Sequence, residues 1–197
     1  PADDEIVLTS GKSYSNVFHA NGGSASFSVM ANTLRGVYGT DVLLATANSF
    51  TGSVLQADYN KKMAASMIMP NGLMSRQRTM TGAELKETLR AFVEGCEGGF
   101  VPFNRGSLPV VSGIAVEVKE AGGSYTLTGI TRNGQPLRDD DTVTVTCLAA
   151  ENQMEALLAS GSGTSLDGDT WVKNRWRDHV SGGGAALAEP ENYMTLR

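Results

Sequence analysis

The chemistry this chain could perform is limited first by its histidines. His19 and His179 are the two it has, far apart in the sequence, so there is no clustered histidine set of the kind that holds a catalytic metal. Cys96 and Cys147 are its two cysteines. Neither sits in a Cys-x-x-Cys pair, so they give no zinc or thioredoxin-type signature and can form one bridge or none. The expectation is two buried small hydrophobes, Cys96 closing a helix and Cys147 closing a strand. Asp139-Asp140-Asp141 gathers hard oxygen ligands, but without the Gly and Glu pattern of a calcium loop it reads as a solvated turn. Ser112-Gly113 lacks the Gly-x-Ser-x-Gly elbow, and neither histidine belongs to a triad signature, so serine-hydrolase chemistry is not expected. Arg76, Arg78 and Lys86 form either a small basic patch or, with the acids around them, a mixed surface. Trp171 and Trp176, five residues apart, fall on different faces of a helix; one belongs in the core and the other is free to face a neighbouring domain.

Charge and composition narrow the function classes further. Lys and Arg number 16 against 21 Asp and Glu, a formal net charge of -5. That excludes a nucleic-acid binder working by bulk charge, because such modules displace phosphate counterions with a basic surface. With 197 residues and 41% hydrophobic content the chain can bury one sizeable core, and a single domain is expected. Its longest apolar runs fall far short of the roughly 20 residues that span a bilayer, so no membrane span is expected. No signal-peptide pattern is visible from Pro1 onward, which leaves secretion open.

The elements that would position these residues can be read from periodicity. Residues 1–15 read as a linker or first strand, with Ile6-Val7-Leu8 as its apolar part, and residues 16–197 as one domain. From Ser24 to Tyr38 the positions Phe27, Val29, Met30, Leu34 and Val37 approximate a helical stripe stopped by Gly39. Asp41 to Ala47 is a short, nearly continuous apolar run, expected as a buried strand, and Asn48 to Gly52 is a turn. Ser66–Met69 and Leu73–Met80 are expected as strands around the Pro70-Asn71-Gly72 loop. Thr81 as N-cap with Glu84 three residues on is a capping box, and Leu85, Leu89, Phe92 and Val93 give the buried stripe of the helix that follows. Val110–Lys119 is expected as one strand, returning through Gly122-Gly123 to Ser124–Thr131 and turning again at Asn133-Gly134. Val143, Val145 and Cys147 mark a further strand, and residues 149–159 and 169–180 are expected as helices. The sum is a mixed α+β domain of helices and antiparallel hairpins.

One family carries these pieces in this order. The first helix, the Asp41–Asn48 run (DVLLATAN), Pro70-Asn71-Gly72, Thr81-Gly82-Ala83-Glu84-Leu85, Val111-Ser112-Gly113-Ile114 and Asn133-Gly134-Gln135-Pro136-Leu137 together resemble the C-terminal domain of 5′-nucleotidases and UDP-sugar hydrolases, across residues 22–196. The resemblance implies a two-domain hydrolase whose N-terminal metallophosphoesterase domain holds two metals and whose C-terminal domain binds the nucleoside. This chain, with two histidines, lacks the ligand set that two-metal hydrolysis needs. No cofactor and no metal are therefore expected in it, and divalent metals only in an N-terminal domain outside it.

Carried over position by position, the binding motifs are altered. The family's NGGGIR turn falls on Ala47-Asn48-Ser49-Phe50-Thr51-Gly52, where Gly52 replaces the arginine whose planar fork fixes the ligand. The segment that supplies a stacking aromatic and a ribose-binding Asp falls on residues 149–156, where Ala150 and Ala156 replace them and Asn152 stands between. The other stacking aromatic falls within Leu108–Val111, which has none, just before Ser112-Gly113. Base stacking is worth roughly 1–3 kcal/mol and a charge-assisted hydrogen bond roughly 1.5–3 kcal/mol. Losing two rings, an Arg and an Asp removes about 5 kcal/mol or more, some thousandfold in affinity. Two readings remain for Phe50, a relocated stacking ring or a plug in the vacated pocket; Phe100 and Phe103 either reach over the same cleft or anchor their loop.

The expectation is thus a substrate-recognition domain of a 5′-nucleotidase-like phosphoester hydrolase, inactive alone and without the nucleoside clamp. No catalytic residue is expected in the chain. The candidate ligand positions are Asn48, Ser49, Phe50, Gly52, Leu108, Val111, Gly113, Ala150, Asn152 and Ala156. The expected partners are the N-terminal metallophosphoesterase domain and a small phosphoester ligand, with no nucleic acid. The resemblance implies an extracellular, periplasmic or cell-surface location. The alternative is a non-enzymatic surface module that keeps the fold for binding or structure.

Overall fold

Val42, Leu43, Leu44 and Ala45 are each exposed by no more than 1%, and the strand they form is the one the rest of the domain is built around. A strand this apolar on both faces must be covered on both. The computed structural model describes residues 4–68, 72–94, 109–150, 165–183 and 185–197. In chain order they form β1 (Ile6–Ser10), β2 (Phe18–His19), β3 (Gly23–Ser24), α1 (Ala25–Tyr38), β4 (Val42–Thr46), β5 (Ala57–Asn60), α2 (Lys61–Ala65), β6 (Leu73–Thr81), α3 (Gly82–Glu94), β7 (Pro109–Ser112), β8 (Ala115–Ala121), β9 (Ser124–Arg132), β10 (Gln135–Pro136), β11 (Thr142–Ala150), β12 (Ser165–Trp171), α4 (Val172–Ser181) and β13 (Met194–Leu196).

A five-stranded sheet has the order β12-β6-β11-β4-β7, and a four-stranded sheet the order β10-β9-β8-β13. In the first, β11 runs parallel to β4, while β6 lies antiparallel to β11 and β12, and β7 antiparallel to β4. Helix α1 packs on β4 and β7, and α4 on β6, β12 and α2, whereas α3 touches β6 of one sheet and β9 of the other. The α+β architecture expected from the pattern is the one observed.

Local chemistry explains most element ends. Ser24 Oγ accepts from Phe27 N at the start of α1, and Gly39, at φ 69°, takes the left-handed C-cap position and bonds Arg35 O. The capping box of α3 is formed: Thr81 N donates to Glu84 Oε2 at 2.8 Å, and Glu84 N donates to Thr81 Oγ1 at 3.2 Å. Asn133 and Gly134 have φ of 52° and 74°, the left-handed pair a two-residue hairpin turn requires between β9 and β10.

Four expectations are corrected. The Val110–Lys119 strand is two strands in two sheets, because Gly113 sits at φ 82° and turns the chain from β7 into β8. Of the strand expected over Ser66–Met69, the described residues Ser66–Ile68 form none: Asn60 Oδ1 accepts from Met63 N at 2.9 Å and caps the short helix α2, whose last carbonyls bond Ser66 and Met67. Just after the helix, Ile68 makes an isolated β-bridge to Phe50. The helix expected over 169–180 starts at Val172, because Ser165–Trp171 extends along the open side of β6 instead. In the helix expected over 149–159, Ala149 and Ala150 belong to β11; the rest lies outside the described residues.

Candidate functional site

The five-stranded sheet brings several chain ends to one edge. Strands β4 and β11 are parallel, with Leu44 opposite Cys147, so both finish there. Strand β6 begins there, with Leu73 opposite Ala150, β7 begins with Pro109 opposite Thr46, and β12 ends with Trp171 opposite Met74. In open sheets with parallel strands, ligands bind beyond the carboxyl ends of those strands. The one-turn 3-10 helix Ala47–Ser49 leads out of β4 at this edge.

The sequence-derived positions divide. Asn48, Ser49, Phe50 and Gly52 follow β4 at this edge, and Ala150 ends β11 beside them. Asn48 and Gly52 are exposed, and a side chain built on Gly52 would meet nothing within 4 Å. Ser49 is 1% exposed and its Oγ has no hydrogen-bond partner among the described residues. Phe50 is 5% exposed and packs against Phe27 with ring centroids 5.9 Å apart. The ring is therefore buried in the core rather than presented at the edge. Val111 is within β7 and buried in the core. Gly113 is at the opposite edge of the sheet, beyond the pairing of Ser112 with Leu43. Leu108, Asn152, Ala156, Phe100, Phe103 and Cys96 lie outside the described residues.

The sequence places one of Trp171 and Trp176 in the core and the other outward without saying which, and the structure puts Trp171 outward. Trp171 is 46% exposed at the same edge as Asn48 and Ala150, with Gly72 against its ring. Trp176 is the core residue of the pair, fully buried, its Nε1 donating to Ala64 O at 2.8 Å. Alternation in Ser165–Trp171 is too poor to reveal a strand, so the sequence carries no signal that would have aligned Trp171 with β6.

The remaining polar candidates are structural. Asp141 is held by Arg138 N and its guanidinium, which depress its carboxyl pKa, and Asp139 pairs with Lys86. The Cys147 thiol is free and buried, and burial pushes its pKa up to about 12, so it is no thiolate nucleophile at neutral pH. Among the described residues no group of three or more His, Cys, Asp or Glu could hold a metal ion, and no helix is long and apolar enough to cross a membrane.

Two clefts indent the surface. One, of about 450 Å³, runs between β1 and the segment Ala185–Glu189. The other, of about 370 Å³, is polar and is lined by residues that include Arg35, Asp41, Gly113, Arg132, Asn133 and Glu191. Here Asp41 Oδ1 accepts from Arg132 Nη2 at 2.7 Å and Oδ2 accepts from Thr144 N at 2.9 Å and Thr144 Oγ1 at 3.1 Å.

These features define an α+β domain built on a five-stranded and a four-stranded sheet. The chain has the fold of a 5′-nucleotidase C-terminal domain. A 5′-nucleotidase precursor from Thermus thermophilus superposes with a TM-score of 0.72 at 13% identity, over 99% of this chain and 40% of that one. The NAD nucleotidase of Haemophilus influenzae gives 0.67 at 17% identity, over 100% and 39%. A sulfate thiohydrolase, also from Thermus thermophilus, gives 0.69 at 13% identity, over 99% and 35%. The chain thus spans about two fifths or less of the length of these structures. No protein-family model and no curated protein sequence matches it.

Proposed function

We propose that this chain is the substrate-recognition part of a larger 5′-nucleotidase-like phosphoester hydrolase, in which an N-terminal metallophosphoesterase domain outside this chain holds the divalent metals. The observation that carries the reading is the superposition of nearly all of this chain on only 35–40% of hydrolase chains acting on different substrates. A fold shared by a nucleotidase, an NAD nucleotidase and a sulfate thiohydrolase does not name the substrate, which depends on site residues.

The site residues argue against an ordinary nucleoside. At the edge where β4 and β11 end, Phe50 is spent in the core against Phe27, Gly52 presents no side chain, and Ala150 stands where a stacking ring is expected from the family resemblance. The substrate selected is a small phosphoester of another kind, and an extracellular, periplasmic or cell-surface setting accords with the resemblance. The same substitutions favour the second reading, a non-enzymatic module that retains the fold for a binding partner.

Thermal-shift titration of the 197-residue chain with nucleosides, nucleotides, UDP-sugars and dinucleotides tests this. A ligand at a hundred times its Kd adds roughly 2.7 kcal/mol, about 5–11 °C in Tm for a domain of this size. The expected result is no shift with simple nucleosides. A micromolar nucleoside would overturn the loss of the clamp, and a flat response to the whole panel would favour the non-enzymatic reading.

A further inference from the structure

At the foot of the five-stranded sheet, at the opposite edge from Asn48 and Ala150, two guanidinium groups enter one cleft from different elements. Arg35 comes from the last turn of α1 and Arg132 from the end of β9. Both are anchored at Asp41. Arg132 Nη2 donates to its Oδ1 at 2.7 Å, and Arg35 Nη1 reaches its carbonyl oxygen at 3.5 Å while Arg35 Nε donates to Ser112 Oγ at 2.9 Å.

That anchoring fixes the two guanidinium planes without using up their donors. Each guanidinium has five N–H groups in a rigid fork. Among the described residues Arg132 Nε and Nη1 and Arg35 Nη2 make no hydrogen bond. Asp41 cannot absorb them, since Oδ1 is taken by Arg132 and Oδ2 by two bonds from Thr144.

The cleft also has room. Its volume of about 370 Å³ is near the lower end of the roughly 300–1,000 Å³ that small-molecule sites occupy. Gly39 and Gly134 line it with backbone alone, and a side chain built on either would meet nothing within 4 Å. The lining holds two guanidinium groups against two carboxylates, so its charges balance, and what the cleft offers an anion is the set of unused N–H donors on Arg35 and Arg132. The opposing charges are Asp41, neutralised by Arg132, and Glu191, exposed on the rim.

We propose that this cleft is a second binding site, taking the oxyanion group of a small molecule, carboxylate or phosphate, between Arg35 and Arg132. It lies at the opposite edge of the sheet from the positions proposed for substrate, so a thermal shift that inorganic phosphate alone reproduces belongs to this cleft. The guanidinium fork accepts either anion through paired N–H donors, a geometry an ammonium group does not reproduce.

Calorimetric titration of the 197-residue chain with inorganic phosphate and with citrate, at matched ionic strength, tests the proposal. Saturable binding is expected, weakened about tenfold or more in Arg132→Lys, which keeps the charge and loses the fork. Glu191→Gln, an exposed position, is expected to bind several-fold more tightly, and it decides the matter if Arg132→Lys fails to fold. Binding of phosphate alone or citrate alone supports the site and identifies the group it takes. Failure of both anions to saturate, or affinities unchanged in both variants, overturns it.

Discussion

Arg132 Nη2 meets Asp41 Oδ1 at 2.7 Å, and through this contact the end of β9 in the four-stranded sheet is tied to the foot of β4 in the five-stranded one. Asp41 also receives the backbone N–H and hydroxyl of Thr144, and its own N–H donates to Thr144 Oγ1 at 2.9 Å. One carboxylate therefore sets the relation of three elements, β4, β9 and β11.

Removing that carboxylate strands the Thr144 donors more than it deprives Arg132. The ion pair is partly solvated, with side-chain exposures of 30% for Arg132 and 36% for Asp41, and pairs of that kind contribute roughly 1 kcal/mol or less. A donor left unsatisfied away from water costs about 1–3 kcal/mol. Asp41→Ala is expected to lower stability by about 2 kcal/mol, or about 4–8 °C in Tm. In double-mutant cycles by denaturant unfolding, the coupling of Asp41 to Thr144 should exceed that of Asp41 to Arg132. The reverse order would show that the inter-sheet pair, not the β11 bonds, dominates.

Gly113 allows a sharper comparison. At φ 82° a Cβ there would be driven into the Asp41 carbonyl oxygen, whereas Gly122, at φ 61°, has nothing within 4 Å of the same position. Gly122→Ala should cost only the left-handed strain, about 1 kcal/mol. Gly113→Ala adds a backbone collision that cannot relax without moving β4, and about 3 kcal/mol is expected. Equal Tm losses in the two variants would mean that the β7 to β8 connection is softer than its geometry implies.

Much of the architecture was legible because local signals agree with the packing. Thr81 and Glu84 announce α3, Gly39 stops α1, Asn133-Gly134 forces a hairpin, and the run from Val42 to Ala45 demands burial on both faces. The misreadings arise where one short-range signal hides another. Val110–Lys119 alternates as a single strand would, and only Gly113's backbone conformation divides it between sheets. Ser66–Met69 is apolar enough for a strand, yet Asn60 caps a helix just upstream. At the candidate substrate edge, the sequence located Asn48 to Gly52 and Ala150 through a family resemblance, but placed Gly113 with them, although strand register puts it at the far edge. The cleft between Arg35 and Arg132 was invisible, because residues far apart in the chain meet there through tertiary packing alone.

The two tryptophans are expected to report different things. Trp176 is fully buried with its Nε1 bonded to Ala64 O, and Trp171 is 46% exposed. Trp171→Phe should leave a blue-shifted emission that acrylamide quenches poorly, with Tm nearly unchanged. Trp176→Phe should leave a red-shifted, readily quenched emission and lose about 2–3 kcal/mol, from the orphaned carbonyl and the void left by the smaller ring. Quenching that is alike in the two variants would contradict the burial of Trp176.

Alkaline pH should destabilise the domain in two steps, for reasons that lie in the core. Burial raises the Cys147 thiol from its ordinary 9.0 to about 12. Burial likewise raises the Tyr193 phenol from 10.0 to about 12, partly countered by the N–H that Ser24 donates to its oxygen. In both cases the fold favours the protonated form, so the unfolded chain loses its protons first. The stabilising effect is complete below pH 9, and it declines as pH rises toward 12, through Cys147 from about 9 and Tyr193 from about 10. The slope is at most one proton per group. Tm measured against pH should therefore begin to fall near pH 9 in the native sequence and near pH 10 in Cys147→Ala, after allowing for that variant's lower starting Tm. If the two profiles bend at the same pH, Cys147 ionises as readily in the fold as in the unfolded chain, and its thiol is not sealed from water.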